Sequence, residues 1–300
     1  MSALKGNIIE EKFKNFALKF NYLTIEETIE FYSIFSGYPF LELISFDYDL
    51  QTCIQKFIFE RIDDLKPYFL YDENSNFQKD LESILYRLAI GDRKSYTAYK
   101  KENISQIRGR ILYKTLFEKE IILREKSREQ PIRKFKKQLV KKALRRYEIQ
   151  DKLHFKDNFT RFWFTFVYPY ENPSDMALHV KDNLEQYISL CFEQLCIELI
   201  NKEIGEENIK SSGSYWDKDM EIDLLIETKD GTIIAGESKW KNHATSKKTL
   251  NFLQKKCQRA FFEVDRYALF SKSGFSKELY LLKDSSVSLY NLENFKALYD

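Results

Sequence analysis

The sequence predicts an α/β domain at its C-terminal end, a mixed sheet flanked by helices, preceded by a helical N-terminal segment and, between the two, three helices closed by a strand hairpin. Three observations predict it. From residue 173 onward the apolar pattern alternates helix, three strands, helix and strand, the order of an α/β layer. Residues 1–72 carry apolar side chains at three- and four-residue spacing, the helical period. Between Lys101 and Gln150 sixteen Lys and Arg stand against six Asp and Glu, in a chain whose net charge is only +2, so one domain presents a surface suited to a polyanion.

At 300 residues the chain has room for two or three domains, each with its own core. No apolar run approaches the ~20 residues that span a bilayer. The start, "MSALKGNIIEEKFKNF", lacks the uninterrupted apolar stretch of a secretory leader, so the chain is expected in the cytoplasm. Cys53, Cys191, Cys196 and Cys257 have neither zinc-ribbon nor thioredoxin-type spacing and read as buried thiols. His154, His179 and His243 are too scattered in the sequence to suggest a metal site.

In the first segment, 1–72, "IEETIEFYSIF" and "LQTCIQKFIFERI" read as helices separated by the breaker "SGYPF". No G-x-x-x-x-G-K-[ST] occurs, so the chain carries no P-loop. The middle segment, 73–172, opens with "NFQKDLESILYRLAIG", which Gly91 closes at a C′ position. A short helix at "SYTAYKKE" follows, then "NISQIRGRILYKTLFEKE", with Asn103 and Ser105 as cap candidates. In this third helix Ile107, Ile111, Leu112 and Leu116 form the expected buried stripe, leaving Arg108, Arg110 and Lys114 for the exposed side.

"IILRE" and "RRYEIQD" read as the two strands of a hairpin around the basic insert "KSREQPIRKFKKQLVKKAL". Three helices and a hairpin make a winged helix, whose third helix enters a DNA major groove while the wing lies against phosphates. The wing would supply Arg133, Lys134, Lys136, Lys137, Lys141 and Lys142. The same layout also serves as a protein adaptor, and a charge run is often only a solvated face; the charge excess favours DNA. "FTRFWFTFVYPYENPSD" then reads as an aromatic packing segment ending in a linker.

The last segment, 173–300, holds the candidate chemistry in "EIDLLIETKDGTIIAGESKW". "KDG" marks a three-residue hairpin loop with Gly231 in the left-handed position. Counting outward pairs Thr228 with Thr232, Leu225 with Ala235, Asp223 with Glu237 and Glu221 with Lys239, and opposite residues share a face with Cβ atoms about 5 Å apart. A two-residue loop would instead pair Asp223 with Ser238 and turn Glu237 to the other face.

Two converging carboxylates repel unless something positive lies between them, and an oxygen-rich pocket suits a hard cation such as Mg²⁺, or Mn²⁺ in its place. Lys239 is positioned to orient an attacking water or to stabilise charge on a phosphate oxygen. Metal plus lysine equips a site for phosphodiester hydrolysis. Glu193, in the apolar helix "LEQYISLCFEQLCIELI", is a further acidic candidate, although a satisfied structural glutamate explains it as well.

The succession of a helix with Glu193, a strand with Asp223, the "GESKW" strand with Glu237 and Lys239, the helix "TLNFLQKKCQRAFF" and the strand "RYALFSKSGF" resembles the PD-(D/E)xK nuclease-like superfamily. More narrowly, "FYSIFSGYPFLELI", "RRYEIQDKLHFKDNFTRFWFTFVYPY", "FEQLCIELI" and the hairpin resemble the rear part of archaeal-type P-loop ATPases, which carry a winged helix and then a C-terminal domain of unknown function. The resemblance implies metal-ligating roles for Asp223, Glu237 and Glu193, a catalytic role for Lys239, and a match of Gln254 to a glutamine that superfamily relatives often place on that helix.

It further implies that residues 1–72 correspond to the remnant of an ATPase lid. With no P-loop in the chain, ATP hydrolysis is not carried over, and a separate P-loop ATPase chain becomes a candidate partner beside DNA. The expected function is that of a DNA-binding, Mg²⁺-dependent endonuclease. The alternatives are a non-catalytic DNA-binding or regulatory module and the detached partner of a P-loop ATPase.

Overall fold

Phe13, Phe16, Ala17 and Phe20 recur at the helical period and are all buried, which gives the first helix, α1 (Ala3–Lys19), a single apolar face. The second, α2 (Ile25–Phe35), starts at a capping box. Thr24 N–H donates to Glu27 Oε2 at 2.8 Å, and Glu27 N–H donates to Thr24 Oγ1 at 3.3 Å. The computed structural model describes residues 3–130, 138–139, 147, 149–282 and 285–299. Two compact units emerge, one of residues 33–183 and one of residues 1–32 with 184–300.

Within 33–183, α3 (Leu50–Phe57) is capped by Asp49 and gives way to a 3-10 turn at Phe59–Arg61 before α4 (Ile62–Leu65). The single helix expected over this stretch is therefore interrupted. The tighter turn buries Ile58, Phe59 and Leu65 together, which one straight helical face does not do for adjacent residues.

The next helix, α5 (Ser75–Ile90), is capped by Asn74, whose side chain accepts from Phe77 N–H at 3.0 Å. It buries Leu81, Ile84, Leu85 and Leu88. Gly91 follows with φ −103° rather than the expected left-handed conformation. Its requirement is space, because a Cβ there would lie 2.5 Å from the Arg87 carbonyl oxygen.

Helix α6 (Ser95–Lys101) leads to α7 (Gln106–Glu118), capped as expected by Ser105, whose hydroxyl accepts from Arg108 N–H at 3.2 Å. The expected stripe is half right. Leu112 and Leu116 are fully buried, but Ile107 is 75% and Ile111 49% exposed. Gly109 explains the rotation: a Cβ there would lie 2.9 Å from the Tyr99 ring, so α7 packs on α6 through Gly109, and Ile107 and Ile111 turn to solvent.

Strand β1 (Ile122–Glu125) pairs antiparallel with β2 (Lys152–Phe155), Ile122 opposite Phe155 and Glu125 opposite Lys152. The second strand thus begins one residue beyond the expected "RRYEIQD". At this position Leu153 is buried and His154 Nε2 lies 2.6 Å from Glu125 Oε2. An antiparallel bridge joins Lys94, before α6, to Lys152. Helix α8 (Asn158–Phe162) runs into a π-helical turn at Trp163–Val167. Its aromatics are buried, with Trp163 stacked on Phe69 at 4.3 Å between ring centres.

The long α9 (Pro173–Ile204) begins with proline in its first turn. Beyond it stand β3 (Ile209–Trp216), β4 (Glu221–Thr228), β5 (Ile233–Lys239), α10 (Lys247–Arg259), β6 (Arg266–Ser271), α11 (Lys277–Tyr280) and β7 (Val287–Tyr290). The five strands form one sheet in sequence order. It is antiparallel from β3 to β5 and parallel from β5 to β7, the mixed sheet with helices that the sequence predicts. Helix α10 is the crossover that a parallel β5–β6 pair requires. Its Leu250, Leu253 and Cys257 pack on Leu225, Ala235 and Leu269.

Candidate functional site

The β4–β5 turn sets the register. Gly231 has φ +93°, Thr228 N–H donates to the Thr232 carbonyl at 3.0 Å, and Leu225 stands opposite Ala235, as counted from a three-residue loop. Gly236 lets the strands lie close. A Cβ there would meet the Ala268 carbonyl oxygen at 3.0 Å, Leu224 Cβ at 3.1 Å and Phe270 at 3.2 Å.

The ladder ends at Leu224 and Gly236. Asp223 and Glu237 are the next residues outward, and no backbone pair joins them there. Instead, Ser238 N–H donates to Asp223 Oδ2 at 3.0 Å and its hydroxyl approaches the same oxygen at 3.3 Å. The expected pairing of Glu221 with Lys239 lies beyond the ladder and does not form; Glu221 is in register with Trp216 of β3.

Glu237 is buried and doubly held. Lys239 Nζ lies 2.7 Å from Oε1 and Lys256 Nζ, from α10, lies 2.7 Å from Oε2. Burial, and then the neighbouring Glu237 charge, push the Asp223 carboxyl up to about 6, against the pull of Ser238 N–H, Lys239 and Lys256. Burial alone would lower Lys239, but Glu237, Asp223 and Glu193 together outweigh it and hold the ammonium above its ordinary value. Glu193 therefore bears electrostatically on the cluster. The buried Cys196 feels the same field, its thiol raised by burial and by the charges of Asp223 and Glu193.

Asp223, Glu237 and Lys239 thus come together, with Glu193 near them. Among the described residues, no group of three or more His, Cys, Asp or Glu side chains is gathered closely enough to hold a metal ion. Glu193, Asp223 and Glu237 are accordingly not a preassembled carboxylate set; Lys239 and Lys256 each hold one oxygen of Glu237. Gln254 is partly buried on α10.

Lys256 and the Ser238 amide are the two participants that sequence reasoning missed. Lys256 has one signal in the sequence, its place beside Cys257 on the edge of the Leu250–Leu253–Cys257 stripe. The Ser238 amide has none.

At this point comparison with known proteins adds a family match. Residues 163–252 match the DUF234 family model, described as archaeal and bacterial proteins of unknown function. The matched segment holds Glu193, Asp223, Glu237 and Lys239, and it is a domain of unknown function, as expected for the C-terminal part. No curated protein and no solved structure matches the chain. Among the described residues, no helix is long and apolar enough to cross a membrane.

The candidate DNA contacts fall into three groups. Arg108 is engaged within its own unit, 2.8 Å from Asp80 and 4.8 Å above the Phe77 ring. Its side chain is still 40% exposed, on the outer side of α7 expected for it. Arg110 is exposed, and Lys114 is exposed with Glu118 at 3.6 Å. Arg133, Lys134, Lys136, Lys137, Lys141 and Lys142 lie outside the described residues.

Proposed function

We propose that the chain binds DNA and that the Asp223–Glu237–Lys239 cluster hydrolyses phosphodiester bonds with a divalent cation, Mg²⁺ or Mn²⁺. The observation that carries this reading is the meeting of two carboxylates and a lysine, from adjacent strands, where the ladder stops.

The two carboxylates suit such an ion when water supplies the remaining ligands. Mg²⁺ is commonly held by one or two carboxylates with water filling the remaining positions, and the raised Asp223 marks a place where added positive charge is favourable. Asp223 and Glu237 would hold the cation, and Glu193 lies near enough to feel the same field. When bound, it would lower the pKa of a water and neutralise phosphate charge.

Lys239, kept protonated by three carboxylates, would orient an attacking water and stabilise charge developing on a phosphate oxygen. Asp223 is oriented by the Ser238 N–H, which leaves its second oxygen for the cation.

DNA binding is supported by the middle of the chain. Helix α5, the Lys94 bridge, α6, α7, β1 and β2 follow one another in the order of a winged helix. Arg110 and Lys114 stand exposed on α7, the third of those helices.

A second reading, a DNA-binding module without catalysis, is favoured by one specific observation. Both Glu237 oxygens are already paired with lysines, and a neutralised ion-pair set is stable without metal. Incubating supercoiled plasmid with the protein and Mg²⁺ or Mn²⁺ separates the readings. Nicking that EDTA, Asp223→Ala and Lys239→Ala each abolish supports hydrolysis. Binding without nicking, unaltered by those substitutions, supports the non-catalytic module.

A further inference from the structure

Glu237 is gripped from two elements at once. Lys239 reaches Oε1 from the same strand, and Lys256 reaches Oε2 from α10, each at 2.7 Å. Asp223 and Glu237 are thereby balanced by Lys239 and Lys256, and the nearby Glu193 leaves the metal-free cluster net negative. A hard cation needs carboxylate oxygens, and on Glu237 each oxygen already carries an ammonium. An ammonium on the same oxygen repels an arriving cation, so cation entry is favoured when one lysine leaves.

The two lysines are not equally free to do so. Lys239 is anchored in β5, in register with Ser271 of β6, and its carbonyl accepts from Lys272 N–H at 3.0 Å. Its ammonium is drawn by Glu193 in addition to Glu237 and Asp223. The two side chains are exposed to a similar degree, 31% for Lys239 and 28% for Lys256, so what separates them is the element each stands on: Lys239 shares β5 and its face with Glu237, whereas Lys256 reaches Oε2 from α10 on a flexible stem that can swing into water.

We propose that Lys256 is an internal counter-ion that closes the metal-free site on Glu237 and is released when a divalent cation takes Oε2. The inference rests on the reading of Asp223 and Glu237 as metal ligands. No covalent bond changes in the exchange: an ammonium leaves a carboxylate oxygen and a cation replaces it. The charge balance changes: with Glu193 counted, exchanging the ammonium for a divalent cation brings the cluster from net negative to about neutral, so repulsion of an anion such as a phosphodiester is relieved only when metal arrives.

The test is calorimetric titration of the 300-residue chain with MnCl₂, comparing wild type, Lys256→Met, Lys256→Gln and Asp223→Asn, with thermal melts to verify folding. Removing the competing ammonium is expected to lower Kd by about tenfold in both lysine variants, while Asp223→Asn loses binding. If the methionine variant fails to fold, the glutamine variant, which keeps a polar contact to Glu237 without the charge, decides.

Binding in the lysine variants with none in wild type supports the proposal equally. Wild-type binding that neither lysine substitution tightens overturns it and leaves the metal-ligand reading standing. Absence of binding in all four proteins overturns both.

Discussion

The backbone N–H of Ser238 donates to Oδ2 of Asp223 at 3.0 Å, just past Leu224 and Gly236, the last paired residues of β4 and β5. A side chain thus takes the place of a strand carbonyl where the ladder ends, beside the two carboxylates.

Asp223 gives the first prediction. Its carboxyl is raised from 3.8 to about 6 by burial and by Glu237. A raised carboxyl binds its proton more tightly in the folded state, so its contribution to stability is fully present below the unfolded value and is lost as pH rises through the folded one. A shift of this size corresponds to on the order of 2–3 kcal/mol. Asp223→Asn is therefore expected to be at least as stable as wild type in neutral and mildly alkaline buffer, with the advantage shrinking as pH falls through 6. Urea unfolding across that range checks it.

Glu198 provides a second titration, remote from any role in hydrolysis. It is buried on α9, with only 5% of its surface exposed. Burial pushes it from 4.5 to about 8, helped by Glu10 and Glu206 and opposed by a hydrogen bond with Asn201. By the same sign, wild-type stability should fall as pH rises between those values. Glu198→Gln should flatten that part of the profile, as measured by melting temperature against pH.

Gly236 is expected to tolerate no side chain. With the Ala268 carbonyl, Leu224 and Phe270 all within 3.2 Å of the point a methyl group would occupy, Gly236→Ala should cost about 1–3 kcal/mol through overpacking. Chemical denaturation measures it, and Gly231→Ala, in open space but at φ +93°, separates backbone strain from crowding.

The α7 cations should divide by role. Arg108 is committed to Asp80 and Phe77, so Arg108→Ala should lower stability by about 1 kcal/mol or less and leave DNA affinity nearly unchanged. Arg110→Ala and Lys114→Ala should leave stability unchanged, weaken DNA binding, and each reduce the salt dependence of binding by about one unit of slope. Fluorescence anisotropy with a labelled duplex at several salt concentrations distinguishes the two classes.

What the sequence made legible was local. The "KDG" turn and the Leu225–Ala235 pairing follow from loop length and a period of two, and the Ser105 cap follows from side-chain chemistry. The features it hid depend on contacts between distant segments. Ile107 and Ile111 face solvent because Gly109 docks on Tyr99, a packing choice that the apolar pattern of one helix does not encode. Lys256 joins the site because α10 crosses over the sheet above Leu225 and Ala235. The end of the β4–β5 ladder depends on a backbone amide choosing a side chain over a carbonyl, which no residue type announces.

The most direct test of the central claim is the rate of supercoiled DNA nicking by wild type and Asp223→Asn, at Mn²⁺ that saturates wild type and in mildly alkaline buffer, where the variant is expected to be folded and no less stable. The account predicts metal-dependent nicking by wild type and its loss in the variant. Equal rates in the two proteins, or no nicking by wild type despite bound Mn²⁺ and bound DNA, would contradict it.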